Sequence, residues 1–533
     1  MTRLHRIWAL VLWLAGMGST LAAAELTLTK SDLIRFGNGP WIAQNIVGLP
    51  RDPSLPVVDP AQTGSEAQLL RGLVGRGLSQ GFGGILYENR DRNHSSLPQK
   101  LFPNLTFLKY APILKSQGLD YGLAGDVLIP ALVFGNSSTA MTTGPARRSL
   151  ARAAMTFPGG PANAFRDYSA NSIYIYPEHR DHDAVDLFPA NWTYTITAQG
   201  SSYADRPFMR AVAMTLAAFS AQTRAALERE GLIAPTVQMI LRRNLTEVNS
   251  REDYLSSLAH PTVFDGSWLR PGRMIGQAAA LRPEDIPPMV RLKVVSETFE
   301  RSAGLAGRDE HLFDTPSAIA RIWRGPGWSR EMTVTATPTK DPNGRDLRFD
   351  WVLLRGDPKL IRIEPLDPDG KTARIRLRWQ PAFTVPPRKG SKDIARQSSR
   401  VDIGVFAWNG VSDSAPAIIS VSYPTHQQRI YAPGLRGDRY LASIDYDAAF
   451  RRVGFDPVLH WSARWTDTFS YAKDGTLLGW TRYEKLGQTR FDANGRLPDG
   501  SEVVYRISDT PGRLPVLEAV SAADDQDRAE PAD

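Results

Sequence analysis

Ile173-Tyr-Ile-Tyr-Pro-Glu-His-Arg-Asp-His-Asp183 (IYIYPEHRDHD) passes abruptly from a β-branched and aromatic run to a burst of charged side chains. A short apolar run bounded by a turn signal reads as a buried strand, so the burst lies at its carboxyl end. The same pattern recurs on either side. Gly84 to Tyr87 runs into Glu88-Asn89-Arg90-Asp91-Arg92-Asn93-His94-Ser95, and Val127 to Phe134 into Gly135-Asn136-Ser137-Ser138-Thr139. Tyr194 to Thr197 runs into Gln199-Gly200-Ser201-Ser202, and Thr236 to Leu241 into Arg242-Arg243-Asn244. Longer amphipathic stretches separate these runs; the clearest helix spans Pro207 to Glu230, after Asp205 and before Gly231. Alternating short strands and helices predict an α/β domain over residues 25–325. In open α/β sheets ligands bind beyond the carboxyl ends of the strands, so bursts after parallel strands would converge on one face. The competing reading is that these loops are polar only because they are wet.

The composition changes near Trp328. Glu331 to Thr337 (EMTVTAT) alternates with period two, and strand runs separated by turn dipeptides continue to Ser422. This predicts an all-β sandwich over 328–424. A hairpin-rich β region follows over 426–520, and the acidic tail 521–533 reads as disordered.

Two β segments resemble known families. Asp341-Pro342-Asn343-Gly344 followed by Phe349 and Trp351, with Val401 to Phe406, Asn409-Gly410 and Ile418 to Val421, is similar to a PKD-type immunoglobulin-like domain. The segment departs from that family after Trp351, where VLLRGD and a longer insertion replace a short Gly-Asp-Gly loop. The resemblance implies a noncatalytic spacer or adhesion module. A Trp on a central strand would fill the sandwich core, and Asn-Gly suits tight hairpins. Tyr471-Ala-Lys-Asp-Gly475-Thr-Leu477 and Phe491-Asp-Ala-Asn-Gly495-Arg-Leu497 repeat at an offset of 20 residues and resemble the YD repeat; plain β-hairpins read the same residues.

Residues 1–24 read as a signal peptide. Arg3 and Arg6 precede an apolar stretch from Ile7 to Met17, and Ala22-Ala23-Ala24 supplies the cleavage signal, leaving Glu25 as the mature start. No later stretch is long and apolar enough to span a bilayer, so no membrane span is expected after cleavage. The chain has no cysteine, which excludes disulfides and thiolate metal sites. Its formal charge of +7 over 533 residues is well mixed, without the basic stripe of nucleic-acid binders. The whole chain is also similar to a group of uncharacterised exported proteins of Gram-negative bacteria, a resemblance that implies a periplasmic or secreted location and no activity.

Candidate chemistry lies in the bursts. Glu88 and Asp91 could act as acid and base, with Arg90 or Arg92 clamping an anionic group; an ion-paired loop is the alternative. His179, Asp181 and His182 could ligate a divalent metal, although Arg180 sits among them and the spacing matches no specific zinc signature. Ser201 or Ser202, between a strand and a helix, could form a hydrolytic triad with His94, His179 or His260. The G-x-S-x-G elbow is absent. Asp205 reads as the N-cap of the following helix. Asn89, Asn136, Ser137, Arg180, Gln199, Ser202 and Arg242 complete the ligand-binding candidates. These residues predict an exported hydrolase acting on an envelope or extracellular polymer, or a noncatalytic periplasmic or surface ligand-binding or adhesion protein. The sequence names no cofactor and no particular ligand.

Overall fold

The computed structural model describes residues 24–123, 126–140, 148–388, 394–434, 438–448, 459, 462–508 and 515–522. The leader, Ala24 apart, and all of the acidic tail after Ala522 lie outside the described residues. An α/β domain comes first and all-β sheets follow. Among the described residues no helix is long and apolar enough to cross a membrane.

Six strands, β1 (Glu25–Leu28), β2 (Leu86–Asn89), β3 (Thr106–Tyr110), β4 (Val133–Asn136), β5 (Ser172–Pro177) and β6 (Thr195–Ala198), form a sheet in the order β1-β3-β2-β4-β5-β6. Every neighbouring pair is parallel. β4, β5 and β6 are buried along their whole length, as expected when both faces of a parallel sheet are covered. The chain leaves β2 for β3 on one side and then crosses to β4 on the other. The strand order therefore reverses between β2 and β4, which opens a crevice at their carboxyl ends. Helices α1 (Ser65–Gly75), α2 (Arg206–Ala218) and α5 (Pro271–Ala280) pack together beside the sheet.

Three sequence expectations change. Thr236 to Leu241 lies inside a helix, α4 (Ile233–Arg243), and not in a strand. Ten of its residues are buried, and a short run that is apolar on every face shows neither helical nor strand periodicity. Pro207 to Glu230 is two helices, α2 and α3 (Ala221–Glu230), because Ser220 caps a new start by accepting the Thr223 N–H at 3.1 Å. Val127 to Phe134 splits around Pro130: Val127–Leu128 pairs with Trp41–Ala43 in a small sheet, and only Val133 onward joins the main one.

Two sheets form the sandwich. One has the order β7 (Lys293–Glu297), β10 (Ser329–Thr335), β13 (Thr372–Arg378), β12 (Ile361–Pro365). The other runs β8 (His311–Thr315), β9 (Ala318–Ile322), β15 (Ala417–Ser422), β14 (Arg400–Trp408), β11 (Arg348–Arg355). β7, β8 and β9 belong to these sheets, so the change in composition near Trp328 marks a point inside the sandwich. Trp351 lies on the edge strand β11 and is half-buried, its Nε1–H donating to Gly370 O at 2.7 Å. The core is filled instead by Trp323, stacked on Tyr423, and by Trp379. A five-stranded antiparallel meander then covers Gln428 to Asp492. Gly475 turns one of its hairpins with φ +88°, and Trp480 stacks on Phe491 with ring centroids 5.2 Å apart.

The sheet containing β9, β15 and β14 is buried on both faces. One face packs on the other sandwich sheet, and the second contributes Phe313, Ala318, Ala320, Leu354 and Phe406 to the core of the α/β domain. A four-residue ionic cluster sits in that seam. Arg400 donates to Asp186 at 3.0 Å, to Asp402 at 2.8 Å and to Thr262 at 2.6 Å, while Arg355 also bonds Asp186. Burial alone would raise the Asp186 pKa, but Arg400 and Arg355 hold it well below the ordinary carboxylate value. Removing one member of such a cluster leaves a buried charge uncompensated. Arg400→Met is therefore expected to lower unfolding free energy by about 3–5 kcal/mol in urea titrations at neutral pH. The stability Asp186 contributes is present above the unfolded carboxylate pKa and is lost as pH falls through its depressed folded value.

Candidate active site

The crevice between β2 and β4 is where the bursts meet. Asn89 and Asn136 stand opposite each other at the strand ends, and the Arg90 N–H donates to Asn136 O at 2.8 Å. This register brings Asp91 and Ser138 together one step beyond the sheet. Asp91 Oδ2 lies 3.0 Å from His94 Nδ1 and accepts the Ser138 hydroxyl, and Asp91 Oδ1 accepts from Thr139 Oγ1 at 2.7 Å. Ser138 Oγ also lies 2.5 Å from His94 Nδ1. His94 is half exposed, whereas Asp91 and Ser138 are buried. The carboxylate directs the imidazole proton to Nδ1 and leaves the lone pair on Nε2, which no hydrogen bond reaches among the described residues.

Loops from β5 and β6 close the same cluster. His179 Nε2 approaches Ser138 O at 2.6 Å, and the His179 N–H donates to Gly200 O at 3.0 Å. Glu178 accepts the Gly200 and His182 N–H groups, each at 3.0 Å, and Gln199 Nε2 at 3.2 Å. Burial pushes its pKa up to about 7, against those hydrogen bonds. Asp205 does not cap α2 with its side chain. Its carboxylate instead accepts from Ser95 Oγ at 2.5 Å and Asn136 Nδ2 at 2.9 Å, and burial raises its pKa. The Tyr203 ring lies 5.4 Å from the His94 ring. Arg92, Asn93, Ser95, His179, Arg180 and Tyr203 all adopt positive φ, between 47° and 77°. Side chains with a Cβ rarely hold this conformation, and such strain clusters where a site requires a particular loop path.

The sequence candidates divide sharply. Asp91, His94, His179, Asn89, Asn136, Ser137 and Gln199 join the cluster; Ser137 Oγ donates to Arg90 O at 3.0 Å. Glu88 does not act with Asp91. It is fully buried beneath the crevice, bonded to Arg90 at 2.9 Å, Tyr110 at 2.7 Å and Tyr174, so Glu88 and Arg90 form an internal ion pair. The potential metal ligands separate as well. Asp181 bonds Arg152 Nε at 2.9 Å, His182 Nδ1 lies 3.7 Å from Asp186, and His179 faces Ser138. Among the described residues no group of three or more His, Asp or Glu could hold a metal. Ser201 and Ser202 lie on the loop after β6, and among the described residues no hydrogen bond joins either to His94, His179 or His260. His260 is buried against Tyr254 O at 2.5 Å, where burial holds its pKa well below the ordinary value. Arg180 is exposed. Arg242 belongs to α4, fully buried over the Phe264 ring, and burial lowers its pKa to about 10.

The burst reading omitted the roles of Ser138, Glu178, Tyr203 and Asp205. Ser138 and Glu178 lay within quoted bursts, but only strand register distinguishes them from their neighbours. No family model matches the chain, and no curated protein matches it.

Glu178 supplies a test. Its folded pKa of about 7 stands above the unfolded value near 4.5, so its contribution to stability is fully present below 4.5 and is lost as pH rises through about 7. Burial holds His260 below its ordinary value and acts in the opposite sense over the same window, so the readout is the difference between wild type and variant. In differential scanning calorimetry at pH 5 and pH 7.5, Glu178→Gln should lose about 1–3 kcal/mol of the stability that wild type gains at pH 5 relative to pH 7.5 through this carboxyl group. Asp167, raised by burial to about 6, keeps a smaller slope of the same sign.

Proposed function

We propose that this chain is an exported hydrolase in which Asp91 and His94 activate water. The observation that carries the reading is a half-exposed imidazole held at Nδ1 by a buried carboxylate at the strand-order reversal, with no hydrogen bond to Nε2 among the described residues. Ser138 is not its nucleophile. A serine relay needs hydroxyl and carboxylate on opposite ring nitrogens, and here both face Nδ1. Water on Nε2 takes that place. His94 accepts the water proton as the oxygen attacks the scissile centre, Asp91 balances the imidazolium, and the proton then passes from His94 to the leaving group.

The site's shape supports an extended substrate. His94, Arg180, Ser201 and Tyr203 are exposed, so the base stands on an open surface across which a polymer can lie. A two-stranded ribbon that precedes the sandwich strand at Arg400, Phe383–Val385 paired with Arg396–Ser398, supports the role of a positioning module. Gln397 exchanges backbone hydrogen bonds with Ala184 and Asp186, both at 2.9 Å, and Arg396 Nε donates to His182 O at 2.8 Å. The β5 loop that carries His179 is thereby held from outside the α/β domain.

The test is turnover of a panel of envelope polymers and their ester, amide and glycoside fragments by wild type and His94→Gln. The expected result is loss of about 10²–10⁴-fold in kcat with an unchanged melting temperature, the range for removing a general base. Asp91→Asn should lower kcat in the same direction. Binding of a panel member without turnover, unchanged in His94→Gln, would overturn the hydrolase and favour a noncatalytic binding protein.

A further inference from the structure

A groove of about 560 Å³ lies between α1, α2 and the loop after β2. The same loop carries His94, and Leu97-Pro98, three and four residues further on, form part of the groove wall. The wall and floor include Leu97, Leu101, Phe102 and Met214, all buried and without side-chain hydrogen-bonding groups apart from the thioether sulfur. Two cations line it, Arg206 and Arg210, with Glu66 as the acidic member.

Arg206 is held ready but unsatisfied. Its Nε is enclosed with no hydrogen-bond partner, and among the described residues it forms no ion pair. Its guanidinium lies over the Tyr203 ring at 4.3 Å, on the same ring that packs against His94. Among the described residues Arg210 bonds only the neutral Gln62 amide, at 2.8 Å. Asp205, the nearest acid in the chain, is felt by Arg206 only through space and spends its hydrogen bonds on Ser95 and Asn136. A guanidinium with an unfilled donor beside an apolar cavity is matched by a carboxylate or phosphate attached to an aliphatic group. Sugar hydroxyls would lose their hydrogen bonds against this floor.

We infer that the groove receives the aliphatic chain of an acylated, anionic substrate, its carboxylate or phosphate bound by Arg206 and Arg210. This names the substrate class of the proposed hydrolase and rests on that reading for its catalytic meaning; the binding itself is measured without turnover.

The experiment is isothermal titration calorimetry of the full chain with dodecanoate, dodecyl phosphate, dodecyltrimethylammonium and acetate, all below micellar concentration. At least one of the two long-chain anions should bind, acetate should not, and the cation should bind at least about tenfold more weakly, consistent with one charge-assisted contact. Arg206→Gln should weaken the anion about tenfold. Arg210→Gln, at an exposed position, should do so by a smaller factor, and Met214→Trp should fill the groove and abolish binding. His94→Gln should bind like wild type, so a failure of the hydrolase reading leaves this result intact. Equal affinity for anion and cation, or full anion affinity in folded Arg206→Gln and Arg210→Gln, would overturn the assignment.

Discussion

The buried cluster of Asp186, Arg355, Arg400 and Asp402 is the constraint on which the rest of the molecule depends. Asp186 lies in the α/β domain, and the other three members lie on the sandwich sheet, where Arg355 and Arg400 each pair with both carboxylates. Desolvating four charges costs several kcal/mol per ion, so the cluster is tolerated only because nearly every donor and acceptor finds a partner. Thr262 and Phe188 O complete Arg400 from the α/β side, and Ser420 Oγ completes Asp402 at 2.7 Å from the sandwich side. These directional bonds select one docking arrangement for a seam that is otherwise apolar and permissive.

The docking arrangement sets the path of the β5 loop. Asp186 lies four residues after His182, and its backbone is paired with Gln397. Between this anchor and the end of β5 the chain accommodates two consecutive left-handed residues, His179 and Arg180. His179 reaches Ser138 only along that path, and Ser138 in turn contacts His94. Sandwich and imidazole are thus linked through a short series of backbone and side-chain contacts. The β module has a local physical role at the site even though it contributes no reacting group.

Strand patterns and polar bursts were legible in the sequence, and so was the α/β-then-β order. Ile173 to Tyr176 and Gly84 to Tyr87 announced strands because buried parallel strands are apolar on both faces. Thr236 to Leu241 carried the same signature and is a helix, since α4 is equally buried all round and a six-residue window cannot separate the two periods. Trp351 was expected in the sandwich core, but burial depends on whether a strand is central or at an edge, and that is a property of pairing. The same limit applied to the site. Composition placed Glu88 and Asp91 in one burst. Strand alternation and the loop path then sent Glu88 beneath the sheet to Tyr110 and Tyr174, and Asp91 above it to His94 and Ser138.

That division explains how two carboxylates three residues apart acquire different roles. Glu88 is surrounded by donors on every accessible side: one guanidinium nitrogen and two phenol hydroxyls. Its charge is fully occupied, and with no exposure it has no route to a substrate. Asp91 is also buried, but it borders a half-exposed imidazole whose second nitrogen takes no hydrogen bond among the described residues. A carboxylate in that position sets the tautomer and balances a positive charge that appears only when the ring takes a proton. The interaction is stronger in the protonated state than in the resting one, which is the property a catalytic contact requires. Ser138 strengthens this arrangement by giving its hydroxyl proton to the same carboxylate. Its contribution is to orient the pair, while the open face of the ring is left to water.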